Sequence, residues 1–129
     1  MWYPPDPPWG WADARWGESV GVPLYQAKAE FFKALAHPAR IRILELLSER
    51  DHSVRELLEQ VEIEANNLSQ QLGVLRRTSL VASHRQGGEV FYSLSASGVR
   101  ELLVAARQIL NGLNRLEDDT ATPSVARGR

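Results

Sequence analysis

Apolar residues near the start of the chain recur every three or four positions as Leu24, Ala27, Phe31 and Leu35, the spacing of one face of a helix. Pro23 suits the first turn of that helix. Pro38 stops it, holds His37 in extended geometry and opens the next helix. The second helix, roughly 38–49, carries Ile41, Leu44 and Leu47 on one side, with Ile43 and Leu46 beside them. Ser53 followed by Glu56 forms a capping box, which introduces Val54, Leu57, Leu58 and Val61. A fourth helix starts near Glu64–Asn66 and turns Leu68, Leu72 and Leu75 inward. Gly73 inside it costs roughly 1 kcal/mol against alanine, so a close helix–helix contact is expected there.

The period then changes. Leu80, Val81 and Ala82 lead to His84 and Arg85, then Gln86-Gly87-Gly88, then Val90, Phe91, Tyr92 and Leu94. Two β-prone runs around a Gly–Gly turn predict a hairpin. Ser95 or Ser97 caps a last long helix carrying Val99, Leu102, Leu103, Ala106, Ile109, Leu110, Leu113 and Leu116. The fold class is mainly α with a small β-hairpin, in the order α-α-α-α-β-β-α. The stripe on 99–116 exceeds what a domain of this size needs for its own core, and an exposed stripe is an association surface. It predicts a two-fold homodimer with Leu103, Ala106, Leu110 and Leu113 near the axis, joined by Leu24 and Phe31 of the first helix.

Composition divides the chain into three parts. Residues 1–20 hold all four tryptophans and four of the seven prolines. Such a segment cannot be a regular helix, and its aromatic surface is expected to pack on the dimer, an unknown effector or a partner. Residues 117–129 read as a disordered tail. The working domain is 21–116. No basic start followed by an apolar run is present, and no apolar stretch is long enough for a membrane span, so a cytoplasmic location is expected. With no cysteine, disulfides and thiolate metal sites are excluded.

The formal net charge of −1 hides a segregation. Residues 45–64 hold seven acids and two arginines, whereas 65–88 hold Arg76, Arg77 and Arg85 with no acid at all. Net charge therefore does not exclude nucleic acid; a basic patch is a local property.

The helices at 53–61 and 65–77, joined by a tight connection, have the layout of a helix-turn-helix. The non-core positions of the second are Asn66, Asn67, Ser69, Gln70 and Gln71. Amide side chains offer a donor beside an acceptor, which suits bidentate reading of adenine in the major groove. A merely solvated helix face would favour Glu and Lys instead. Arg76 and Arg77 follow at the end of the helix, where phosphates are the natural targets. A wing needs a narrow tip with a cation close by, and His84, Arg85, Gln86, Gly87 and Gly88 fit that description.

Three motifs, in order, carry a resemblance: Phe32-Lys33-Ala34-Leu35-Ala36-His37-Pro38-Ala39-Arg40-Ile41-Arg42-Ile43-Leu44, then Leu68-Ser69-Gln70-Gln71-Leu72-Gly73-Val74-Leu75-Arg76, then Val90-Phe91-Tyr92. Over about 21–116 the chain resembles the ArsR/SmtB family of winged-helix repressors. The resemblance implies a winged helix-turn-helix and a homodimer built by the first and last helices, which releases DNA when an effector binds. It implies that 66–71 enter the major groove and that the hairpin is the wing. Arg40 matches the arginine that opens the family's second helix, in either a phosphate contact or helix packing.

The departures from the family concern sensing. Many relatives hold metal through a Cys-x-Cys-type pair on the third helix or through Asp and His on the last. Here the third helix has no thiol, and 97–116 has no His and no Asp, with Glu101 its only acid. The three histidines are scattered: His37 in a turn, His52 in a solvated loop, His84 near the wing phosphates. No metal site and no cofactor are expected. No glycine-rich phosphate loop, nucleophile elbow or His/Asp constellation suggests an enzyme. The expected function is a sequence-specific DNA-binding regulator, an autoregulating repressor on an inverted-repeat operator. The alternative is a winged-helix protein–protein interaction module.

Overall fold

The computed structural model describes residues 23–120, with side chains to Leu116. The tryptophan-rich extension at 1–20 and the tail beyond 120 lie outside the described residues. Five helices and three strands follow in order: α1 (Leu24–Leu35), α2 (Pro38–Glu49), β1 (His52–Ser53), α3 (Val54–Val61), α4 (Ala65–Arg77), β2 (Val81–Gln86), β3 (Glu89–Leu94) and α5 (Val99–Thr120). They divide into two units, the first ending at Ser97 and the second beginning at Gly98.

In the first unit α2 is the central element, in contact with α3, α4 and β3. Ile43 and Leu44 of α2, Leu57 of α3 and Leu75 of α4 have no exposed surface at all. Shortening any one of these leucines to alanine costs about 2–5 kcal/mol by analogy with other cores. Apolar burial holds these elements together, and local chemistry sets where each begins. Pro38 stands at the start of α2, and the His37 ring accepts the Ala39 N–H at 3.1 Å. Ser53 Oγ accepts the Glu56 N–H at 3.1 Å, while the Ser53 N–H donates to the Glu56 carboxylate at 2.9 Å. The capping box expected from sequence is therefore present. The Ser53 N–H, helped by Arg50, holds the Glu56 carboxyl below its ordinary value. Glu62, the C-cap of α3, adopts the left-handed region at φ 61° and turns the chain toward α4. The Thr78 hydroxyl donates back to Val74 and Leu75 as α4 ends.

The sheet has three strands in the order β1-β3-β2, all antiparallel neighbours. The predicted hairpin is present as β2 and β3, with Gln86 opposite Glu89 and both Gly87 (φ 60°) and Gly88 (φ 82°) left-handed. That is the backbone a two-residue turn between strands requires. The third strand, β1, departs from expectation. His52 pairs with Tyr92 and is 2% exposed, its Nδ1 2.9 Å from the Arg50 carbonyl, so it is no solvated loop residue. Two residues are too few to register as a periodic pattern.

Gly73 also departs from expectation. A Cβ there would meet only Arg77 Nη1 at 3.5 Å, ordinary van der Waals contact. No neighbouring helix demands a glycine at that point.

The second unit is α5, described by itself. It runs to Thr120, four residues past the boundary expected at 116. Ile109, Leu110, Leu113 and Leu116 are each between 56% and 62% exposed.

The His37 cap predicts a pH dependence. The ring must be neutral to accept the Ala39 N–H, and burial, then nearby Arg40, lower its pKa. Its stabilisation is present above the ordinary histidine value of about 6.5 and is lost as pH falls through the lower folded value. Asparagine caps without titrating. The difference in urea midpoint between pH 7.5 and 5 is expected to be smaller for His37→Asn than for the natural chain.

Candidate nucleic-acid interface

The helix-turn-helix consists of α3, the turn at 62–64 and α4. Leu68, Leu72, Val74 and Leu75 bury one side of α4. That burial leaves Asn66, Ser69 and Gln70 exposed on its other side, with Asn67 half-buried. Arg76 and Arg77 are exposed in its last turn, where cations also complement the helix dipole. Most of the residues picked out on this helix therefore share one accessible face.

Gln71 does not belong with them. It is 2% exposed, and both ends of its amide are hydrogen-bonded inside the protein. Arg40 Nη1 on α2 donates to Gln71 Oε1 at 3.0 Å, and Gln71 Nε2 donates to Asn67 Oδ1 at 2.9 Å. The side chain expected to read bases is instead a polar member of the core. Its position follows from helical geometry, since 71 falls beside 68, 72 and 75 on the buried face. Arg40, itself 2% exposed, resolves to helix packing rather than phosphate contact. Helical spacing was the available signal, since Arg40 precedes the buried Ile43, Leu44 and Leu47 by three, four and seven residues.

The hairpin carries His84, Arg85, Gln86 and Gly87, all exposed. His84 and its cross-strand partner Phe91 stack with ring centroids 5.7 Å apart and planes 16° from parallel. This stacking braces the strand just before the tip. Beside the turn of the wing, Arg55 of α3 meets Glu89, the first residue of β3, at 3.4 Å. Both groups are well exposed, so the pair adds little stability, though it ties α3 to the hairpin. Sequence reasoning passed over this pair because its partners stand 34 residues apart.

Among the described residues no three His, Asp or Glu side chains converge as metal ligands would. Among the same residues no helix is long and apolar enough to cross a membrane.

A helix-turn-helix followed by a short antiparallel hairpin defines a winged helix, the architecture of a DNA-binding module. A helix-turn-helix domain model matches residues 35–84. The chain is 63% identical over 89 residues to the HTH-type transcriptional regulator Rv0081 of Mycobacterium tuberculosis, covering 68% of this chain and 78% of that protein. The crystal structure of that protein matches with a TM-score of 0.68 at 58% identity, covering 78% of this chain and 100% of that one. The transcriptional repressor BigR from Xylella fastidiosa matches with a TM-score of 0.63 at 36% identity, covering 66% and 87% of the two chains. A transcriptional repressor SmtB homolog from Synechocystis is 38% identical over 85 residues, 66% of this chain and 64% of that one. The chain belongs to the ArsR/SmtB family of winged-helix transcriptional regulators.

Adjacent glutamines on α4 should respond oppositely to truncation. Gln70→Ala at an exposed site is expected to change unfolding free energy by less than about 0.5 kcal/mol. Gln71→Ala removes an acceptor from a buried guanidinium and should cost about 1–3 kcal/mol. Urea denaturation of both variants checks the assignment; equal effects would contradict it.

Proposed function

We propose that the protein is a homodimeric repressor that binds an inverted-repeat DNA operator through α4 and the wing and controls its own operon. The observation that carries this reading is the accessible face of Asn66, Ser69 and Gln70 followed by Arg76 and Arg77, in a stretch from 65 to 88 without a single acid. DNA presents phosphates at every step, and an acid on that surface would repel them. Asn66, Asn67, Ser69 and Gln70 read base edges. Arg76, Arg77, His84 and Arg85 meet phosphates. Gln86 and Gly87, at a tip where two glycines stand between Gln86 and Glu89, let the wing approach the backbone, and Arg55 offsets the Glu89 charge.

Two apolar surfaces support self-association. On α5, Leu110 and Leu113 are 60% and 56% exposed, with Leu103 half-buried and Ala106 exposed on the same helix. On α1, Leu24 is 57% exposed and Phe31 is half-buried. Surfaces of this kind are costly to leave in water, and a second copy offers the same surfaces in return. Two family relatives bear the word repressor in their names, which supports the sign of regulation. The protein acts in the cytoplasm and has no catalytic role.

Derepression comes from a small organic ligand near the dimer axis, a partner protein or protein concentration alone, rather than from a transition metal. Each histidine already has a use: His37 caps α2, His52 sits inside the sheet and His84 stacks on Phe91. Cysteine is absent from the sequence.

Leu110→Asp is expected to sediment as a monomer and to lose binding to a duplex from its own promoter. An unchanged dimer would move the interface elsewhere. On the same duplex, half-sites are expected roughly 10 bp apart. Gln70→Ala should weaken binding by about 1–3 kcal/mol and relax base preference. Arg85→Ala should instead weaken all sequences alike and lower the salt dependence. Loss of sequence preference with Arg85→Ala alone would reverse this division of roles.

A further inference from the structure

We infer that the buried chain Arg40–Gln71–Asn67 sets the hydrogen-bonding polarity that the protein presents to DNA, turning Asn67 outward as a donor that selects acceptor edges. The inference rests on the reading of α4 as the DNA-facing helix.

The chain has a forced direction. A guanidinium has donors only, and Arg40 is buried beside Gln71 with its Nη1 3.0 Å from Oε1. The carbonyl end of the Gln71 amide must therefore face Arg40. Its NH2 end then faces Asn67 and donates to Oδ1 at 2.9 Å. The last link is fixed in turn: Asn67 commits its oxygen inward, and its Nδ2 with two hydrogens occupies the other branch. Asn67 is half-buried, between this internal chain and the exposed face formed by Asn66, Ser69 and Gln70.

An asparagine that reads adenine in bidentate fashion needs its oxygen for the N6 amino group and its nitrogen for N7. Here one of that oxygen's two lone pairs takes the Gln71 amide hydrogen, which turns the oxygen toward the buried chain. Held that way, Asn67 is poorly oriented for the bidentate adenine contact that its residue type suggests. What it offers is a donor, matching guanine N7 and O6, thymine O4 or adenine N7. Arg40 and Gln71 are positioning residues in this scheme; neither touches the DNA.

Reversing one link tests the direction. Gln71→Glu keeps an oxygen for Arg40 and adds a charge partner for it, but its second oxygen cannot donate. Asn67 must then turn its NH2 inward and present Oδ1 to the DNA. Full-length natural chain and variant would each be used to select duplexes from a randomised DNA library. At the base pair sensitive to Asn67→Ala, the natural chain is expected to enrich acceptor edges. Gln71→Glu is expected to shift the ratio toward the donor edges of cytosine and adenine by roughly tenfold. Gln71→Met has the length without the polarity, and it should leave that one position unselective while the others keep their preference. A merely structural role would weaken every position together and leave the ranking intact. An unchanged ranking with both variants overturns the inference, whereas a natural chain that enriches no sequence overturns the DNA-binding reading beneath it. If Gln71→Glu fails to fold by circular dichroism, Gln71→Met alone decides between a single-position loss and a uniform one.

Discussion

The rotation of α4 about its own axis governs which side chains this protein shows to a ligand, and one polar contact pins that rotation. Leucines at 68, 72 and 75 bury the helix, but apolar burial is non-directional. A helix resting on leucines alone tolerates small rotations with little change in buried area. The contact from Arg40 to Gln71 does not, because a hydrogen bond weakens steeply as its angle opens. A buried guanidinium deprived of its acceptor costs more than the contact itself contributes. Arg40 thus couples the central helix α2 to α4, the helix proposed to meet DNA.

That device explains what was legible in the sequence and what was not. Features with local causes are readable. Pro38, the Ser53–Glu56 box and the Gly87–Gly88 turn each act within four residues, and each appears where expected. The face of α4 is also readable, since Asn66, Ser69 and Gln70 fall away from its leucines. Features with distant causes are not. Gln71 belongs to the same amide-rich run as Gln70; helical spacing sets it beside Leu68, Leu72 and Leu75, but its hydrogen-bond partner stands 31 residues earlier, at Arg40, beyond the reach of any local pattern. His52 becomes a strand residue through Tyr92, across the sheet. Gly73 failed in the opposite direction: a residue type that often marks close packing here faces only the end of Arg77.

Charge and shape are arranged by the same separation. The acids cluster at 45–64 and the acid-free stretch begins one residue later, at the first turn of α4. Glu64 is the boundary, standing at the N-cap of α4 without a side-chain capping bond. The helix thereby presents polar amides and a late pair of arginines, with no carboxylate in its first turn. A typical solvated helix gains from acids at its start. Their absence forgoes that gain on the surface where phosphates would approach, which favours a binding face over a solvated one.

Recognition energy connects that face to self-association. Each good base contact discriminates by about 1–3 kcal/mol, and a single α4 has few side chains with which to make one: Asn66, Ser69 and Gln70 exposed, Asn67 in part. Serine discriminates weakly, because a hydroxyl serves donors and acceptors alike. Two or three good contacts from one copy amount to about 2–9 kcal/mol, against the 4–10 kcal/mol or so that separates specific from non-specific DNA binding. Two copies on a two-fold site double the discriminating contacts and share one loss of translational freedom. The apolar stripe of α5, with Leu110 and Leu113 more than half exposed, is then no accident of an oversized helix. A second copy would double the contacts of the proposed recognition helix, and the exposed leucines are the surface that would bring that copy in.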